Sequence, residues 1–129
     1  KPILGICLGM QLLGSKSYEF EETKGLKLNN LIFRPFKNNI NKIDFHIGFN
    51  EVKYPQKSKL FRNIPQNSDF YFLHGFYAKP EKETSFYGIS QYKNKFVSSY
   101  ENDNIFGVQF HPEKSQIHGI ALIENFLSF

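Results

Sequence analysis

A single cysteine occurs in the 129 residues, and glycines flank it two positions away on each side: Gly5-Ile6-Cys7-Leu8-Gly9. This is the spacing of a nucleophile elbow, with a thiol in place of the usual hydroxyl. An elbow is a strand-to-helix turn so tight that the nucleophile takes a strained backbone conformation. Glycines at both flanking positions are expected to remove the Cβ atoms that would collide. The following helix would aim its first amides at the sulfur and help to lower the thiol pKa. The amide of Leu8, one residue past the nucleophile, would donate to an oxyanion. A lone cysteine in an apolar run can equally be a small core residue, so the chemistry needs a base.

Four histidines are available: His46, His74, His111 and His118. The run Val108-Gln109-Phe110-His111-Pro112-Glu113 sets His111 apart. It places a histidine at the end of an apolar strand, where α/β sheets gather their sites. Pro112 biases His111 towards an extended backbone. Glu113 can then fold back onto one imidazole nitrogen, fix the tautomer, and leave the other nitrogen for a thiol. His118 falls in a predicted helix with no acidic partner at helical spacing, which suits a packing or surface role. Cys and His pairs at the short spacings of zinc sites are absent, so no metal is expected.

The elements that must hold these groups follow from the pattern of apolar residues. Residues 3–6 form a short buried strand, and a helix runs from Leu8 to about Gly14. Residues 15–26 are polar and charged, with a turn at Gly25. "KIDFHIGFNEVKY" alternates like a strand, with Gly48 at a bulge or bend. Residues 70–73 form another strand ending in a glycine loop. "SFYGISQY", "KFVSSYE" and "IFGVQF" are three more strands, separated by the turns "KN" and "NDN". Ser115 is expected to cap a closing helix whose Ile117, Ile120, Ala121 and Leu127 share a face. The order strand, helix, several strands, helix predicts an α/β fold with an antiparallel insertion. A chain that opens on a buried strand of a doubly wound sheet is expected to lack the units before it.

Composition narrows the class. Two-fifths of the residues are hydrophobic and fifteen are phenylalanine, enough for one domain core. The net charge of +4 comes from lysines scattered among asparagines, a solvated surface rather than a nucleic-acid stripe. No apolar run reaches the roughly 18 residues of a membrane span. One cysteine cannot form an internal disulfide, which fits a reducing cytoplasm.

Three stretches together, "PILGICLGMQLL", "FYFLHGFYA" and "FGVQFHPEKS", resemble class I (triad-type) glutamine amidotransferases. Among these the chain is most similar to the glutaminase subunits of imidazole glycerol phosphate synthases, because "FHIGFNEV" resembles their "PHMGWN" segment. The resemblance implies a flavodoxin-like domain over residues 1–129, with Cys7 as nucleophile, His111 as general base and acid, and Glu113 as its orienter. It further implies that Leu8, Gln11 and the loop His74-Gly75-Phe76 receive L-glutamine. The implied products are glutamate and ammonia, by way of a cysteine thioester and without a cofactor. In the family the ammonia passes, within a heterodimer, to a (β/α)₈-barrel cyclase subunit. That subunit makes imidazole glycerol phosphate and an aminoimidazole carboxamide ribonucleotide in histidine biosynthesis. His46, Ile47, Gly48, Phe49, Asn50, Tyr71 and Lys114 match positions at or near that interface.

Departures from the family pattern are Phe49 for tryptophan, Phe45 for proline, Ile47 for methionine and Gly75 for a small hydroxyl residue. The family also places two or three βα units before the elbow, with a glycine-rich loop that supplies a second oxyanion donor. Nothing in the sequence matches them, so the chain is expected to be the C-terminal part of such a domain. Three alternatives stay open: a paralogous subunit supplying ammonia for surface-polysaccharide sugars, a cysteine peptidase or γ-glutamyl hydrolase on the same elbow, and a degenerate, non-catalytic module.

Overall fold

The opening strand and the strand before His111 lie side by side and parallel. In the computed structural model, which describes residues 1–80 and 86–129, β1 (Ile3–Ile6) leads into α1 (Leu8–Leu13). Four short strands, β2 (Lys16–Ser17), β3 (Thr23–Lys24), β4 (Ile32–Pro35) and later β7 (Phe76–Ala78), frame a ribbon of β5 (His46–Val52) and β6 (Ser68–His74). β8 (Tyr87–Tyr92), β9 (Asn94–Asn102) and β10 (Ile105–Val108) follow, then a 3-10 turn (Pro112–Lys114) and α2 (Gln116–Leu127).

The main sheet has the order β1-β10-β9-β8. β1 pairs with β10 in parallel, Ile6 opposite Val108, and the other two pairings are antiparallel. A second sheet runs β3-β2-β4-β7, and β5 pairs with β6 from His46↔His74 to Val52↔Ser68. This is the expected α/β fold with an antiparallel insertion. β2 and β3 were not legible: two-residue strands carry no periodicity to detect. "SFYGISQY" gives β8, although its first residue, Ser85, lies outside the described residues.

Phenylalanine makes the core. Phe36, Phe70, Phe72, Phe96, Phe106 and Phe110 are all essentially inaccessible and form one cluster with Val52, Leu60 and Leu122. Their rings meet mostly edge-on, as at Phe72–Phe96 (5.5 Å, 89°), the arrangement that the ring quadrupole favours. A smaller cluster joins α1 to the second sheet and to β9 through Met10, Phe33, Phe76 and Val97. Gly107 admits it, because a Cβ there would stand 2.8 Å from Met10 Cγ.

Several local expectations are corrected. Gly48 carries φ 121° but interrupts no pairing, so no bulge forms there; the register shift falls between Gly88 and Ile89 instead. Ser115 does occupy the N-cap position of α2, but its hydroxyl makes no cap bond. In α2 the buried residues are Gly119 and Leu122, while Ile117, Ile120 and Leu127 face outwards. The residue that lets α2 dock is a glycine, which hydrophobic spacing cannot reveal. A Cβ at Gly119 would stand 1.9 Å from the Pro112 carbonyl oxygen.

Candidate active site

Parallel pairing of β1 with β10 brings two carboxyl-terminal strand ends together, and the two candidate reactive residues leave from them. Cys7 follows β1 directly, and its N–H donates to the Val108 carbonyl at the end of β10 (2.8 Å). Its backbone is at φ 50°, ψ −106°, outside the ordinary regions for a side-chain-bearing residue. The elbow is therefore strained where the sequence predicts strain. Only one of its glycines is sterically required. A Cβ on Gly5 would lie 2.6 Å from the Gly9 carbonyl carbon and 2.7 Å from Leu13 Cδ1, whereas a Cβ on Gly9 would meet nothing within 4 Å. The close approach is to Gly9's backbone, which any residue there would supply.

The sulfur is half-buried and faces an open cleft of about 560 Å³. Leu8, Gln11, His74, Gly75 and Phe76 all line that cleft with Cys7, so the elbow and the 74–76 loop converge as expected. Cys7 Sγ lies 3.8 Å from the Leu73 carbonyl, and Gln109 Nε2 donates to it at 3.8 Å. The net shift of the thiol is upward, against the sequence expectation. Burial pushes it up; the Leu8 amide and the Gln109 side chain pull it down; the charges of Glu113 and Glu19 add to the rise. Gln109 is wholly buried and had no assigned role. Its place in an apolar strand end, two residues before His111, was the only signal.

His111 lies in the extended region at φ −100°, ψ 98°, as Pro112 requires. Its Nδ1 is 2.6 Å from Glu113 Oε1. A carboxylate only accepts, so Nδ1 carries a proton, and in the neutral ring Nε2 is the nitrogen left to accept. Both backbone groups of His111 are held. Its N–H donates to the Tyr71 carbonyl (2.8 Å), and its carbonyl accepts from Ser115 Oγ (2.6 Å), which itself accepts from the Tyr71 N–H (2.9 Å). Ser115, buried at the N-cap position of α2 and with its hydroxyl turned to other partners, ties the His111 turn to β6.

The seven residues matched to a partner interface separate by strand alternation. Ile47 and Phe49 point outwards on β5, level with Leu73 and Tyr71 on β6, and the Phe49 and Tyr71 rings meet edge-on at 5.4 Å. Gly48 sits between them, and Lys114 is exposed on the 3-10 turn. His46 does not belong to this surface: it is 5% exposed, on the opposite face of β5. Asn50 shares that inward face, donating to His46 Nε2 and to the Gln91 carbonyl. The His74 side chain is buried as well. Burial lowers both histidines to about 4, so they are neutral at physiological pH. Two departures from the family pattern touch each other, since a Cβ on Gly75 would come within 2.9 Å of the Phe45 ring. Among the described residues no three His, Cys, Asp or Glu side chains gather to hold a metal ion, and no helix is long and apolar enough to cross a membrane.

The sequence model of the family described as "Glutamine amidotransferase class-I" matches residues 1–128. The chain belongs to the class-I glutamine amidotransferase family. Similar members include imidazole glycerol phosphate synthase subunit HisH of Moorella thermoacetica, 43% identical over 125 residues, covering 97% of this chain and 59% of that one. Imidazole glycerol phosphate synthase subunit HisH 2 of Methanococcus maripaludis is 46% identical over 127 residues, covering 98% and 62%. The chain thus spans about three-fifths of the length of these subunits. A glutamine amidotransferase of Thermotoga maritima has the same fold, with a TM-score of 0.62 at 22% identity, covering 98% of this chain and 47% of that one.

Proposed function

We propose that residues 1–129 are part of a type-1 glutamine amidotransferase domain and carry the thiol and the base of a glutaminase. His111 Nε2 takes the proton of the Cys7 thiol; the thiolate attacks the side-chain amide carbon of L-glutamine, and the Leu8 N–H donates to the oxyanion that forms. Collapse breaks the carbon–nitrogen bond as His111 hands a proton to the departing ammonia. His111 then takes a proton from water, which cleaves the γ-glutamyl thioester to glutamate and frees the thiol. Glu113 holds the imidazole in the tautomer this needs.

The observation that carries this reading is the placement of two units at adjacent parallel strand ends: a strained, cleft-facing thiol after β1 and a carboxylate-oriented histidine after β10. Open α/β sheets bind ligands outside the carboxyl ends of their strands. Gln11 supports the same cleft. It is 6% exposed, and its Oε1 is buried without a hydrogen-bond partner in the protein, an acceptor suited to an amide N–H of the substrate.

The partner reading follows the similar subunits, whose name is that of an imidazole glycerol phosphate synthase component. Ammonia passes to a (β/α)₈-barrel cyclase docked on the outward face of the β5–β6 ribbon, where Ile47, Phe49 and Tyr71 are accessible, and is used in histidine biosynthesis in the cytoplasm. The test is made on the intact protein. A glutamine-like diazo ketone is expected to alkylate one cysteine, Cys7, and Cys7→Ser is expected to abolish both labelling and ammonia release. Labelling that persists in Cys7→Ser overturns the nucleophile. Peptide cleavage without glutaminase activity overturns the substrate, and ammonia transfer to a sugar-modifying synthase but not to the cyclase overturns the pathway.

A further inference from the structure

Behind the cleft wall, three side chains that the proposed chemistry leaves unused are joined end to end. Asn50 Nδ2 lies 3.2 Å from His46 Nε2 and 2.9 Å from the Gln91 carbonyl. His46 Nδ1 is 2.9 Å from His74 Nε2, and His74 Nδ1 is 2.7 Å from the Phe76 carbonyl. One arrangement of protons satisfies every link. The carbonyl of Phe76 only accepts, so His74 is protonated on Nδ1 and offers its Nε2 lone pair. His46 must then donate from Nδ1, which leaves its Nε2 to accept from Asn50. The second Asn50 N–H goes to Gln91.

The chain of bonds links the three sheets of the described residues, from Gln91 on β8, through β5 and β6, to Phe76 at the start of β7. Aromatic rings wedge it in place. His46 is stacked between Phe72 (4.7 Å) and Tyr92 (4.4 Å), and both imidazoles are 5% exposed. Neither ring is placed to serve as a nucleophile or a base. What they brace is the crossing at Gly75, where the polypeptide leaves the ribbon for the second sheet. His74 spans that glycine to grip the Phe76 carbonyl, while the Gly75 carbonyl accepts from the Phe36 N–H (2.9 Å). Gly75 and Phe76 line the cleft beside Cys7.

We propose that Asn50, His46 and His74 form a positioning strut that holds the 74–76 segment in the shape that receives the substrate's α-amino and carboxylate ends, a role that rests on the glutaminase reading above. These ends lie away from the scissile bond, so losing the strut weakens substrate and transition state alike: KM rises and kcat is kept.

The test uses the intact protein. Nitrogen-15 spectra of the imidazoles are expected to show His46 and His74 both protonated on Nδ1 at neutral pH; a His74 ring protonated on Nε2 overturns the strut. His46→Leu removes the donor to His74 Nε2. It is expected to raise the KM for glutamine about five- to tenfold with kcat within about twofold. His46→Asn places an amide N–H where the ring Nδ1 stood and is expected to recover most of that loss. An unchanged KM in His46→Leu, or an equal rise in both variants, overturns the positioning role. Absence of glutamine turnover by the unsubstituted protein removes the substrate reading, whereas the tautomers report on the strut alone. Should the leucine variant not fold, Asn50→Ala, which removes the bond to His46 Nε2, takes its place: a raised KM with kcat kept is expected, and an unchanged KM overturns the positioning role.

Discussion

Gln109 shows how one buried side chain can tune the reactive group without touching a substrate. Its amide donates to Cys7 Sγ while its own Oε1 has no protein partner. The charge of Glu113, which is bonded to His111 Nδ1, adds to the rise that burial imposes on the thiol, so in the proposed glutaminase the residue that orients the base works against the nucleophile. The Gln109 and Leu8 donors counter that effect. Gln109→Met, close in volume but unable to donate, is expected to move the thiol further up. The check is the pH dependence of iodoacetamide alkylation at Cys7: its midpoint should shift upwards, and the rate at pH 7 should fall about five- to tenfold. The cysteine and histidine were legible as chemistry because their neighbours are unusual, a glycine pair and a proline–glutamate pair. Gln109 was not, because a glutamine in an apolar strand end is noteworthy only once the sulfur is seen beside it.

At the scale of elements, the site depends on how closely three backbones approach one another. The 3-10 turn that carries Glu113 is clamped between β6, through Tyr71 and Ser115, and α2, through Gly119. Gly119→Ala is expected to force α2 away from the Pro112 carbonyl and to lower stability by about 2 kcal/mol or more. It should also loosen the His111–Glu113 pair. Urea unfolding checks the first effect, and loss of kcat in the fraction that remains folded checks the second. The strands that build this clamp were largely legible from alternation and turn residues. The exceptions have physical causes. Strands of two residues carry no period, and an apolar helix stripe at Ile117 and Ile120 says nothing about which side a glycine allows to dock.

For the molecule as a whole, burying two neutral histidines couples folding to pH. Both imidazoles resist protonation until about pH 4, held down by burial and, at His74, further by His46 and His111 nearby. In the unfolded chain they take up protons near their ordinary value of 6.5. The unfolded state therefore binds more protons between about pH 6.5 and 4, and the free energy of unfolding falls as pH drops through that window. It is fully present above 6.5. Urea midpoints measured from pH 7 to 4.5 are expected to decrease steadily, and His46→Asn is expected to flatten the decrease. A midpoint that does not change across this range would contradict the neutral pair.

Taken by itself, the order of residues determined which side chains could do chemistry and which strands and helix would carry them, because reactive-residue spacing and apolar periodicity are local properties. It also determined the α/β class. Only the tertiary structure decided which face each side chain takes. Strand pairing turned His46 inwards beside His74 and left Ile47 and Phe49 outside, and the parallel pairing of β1 with β10 set side by side the strand ends that Cys7 and His111 follow, from opposite ends of the chain. Those outcomes depend on register and on backbone approach between distant segments, and no local pattern encodes either.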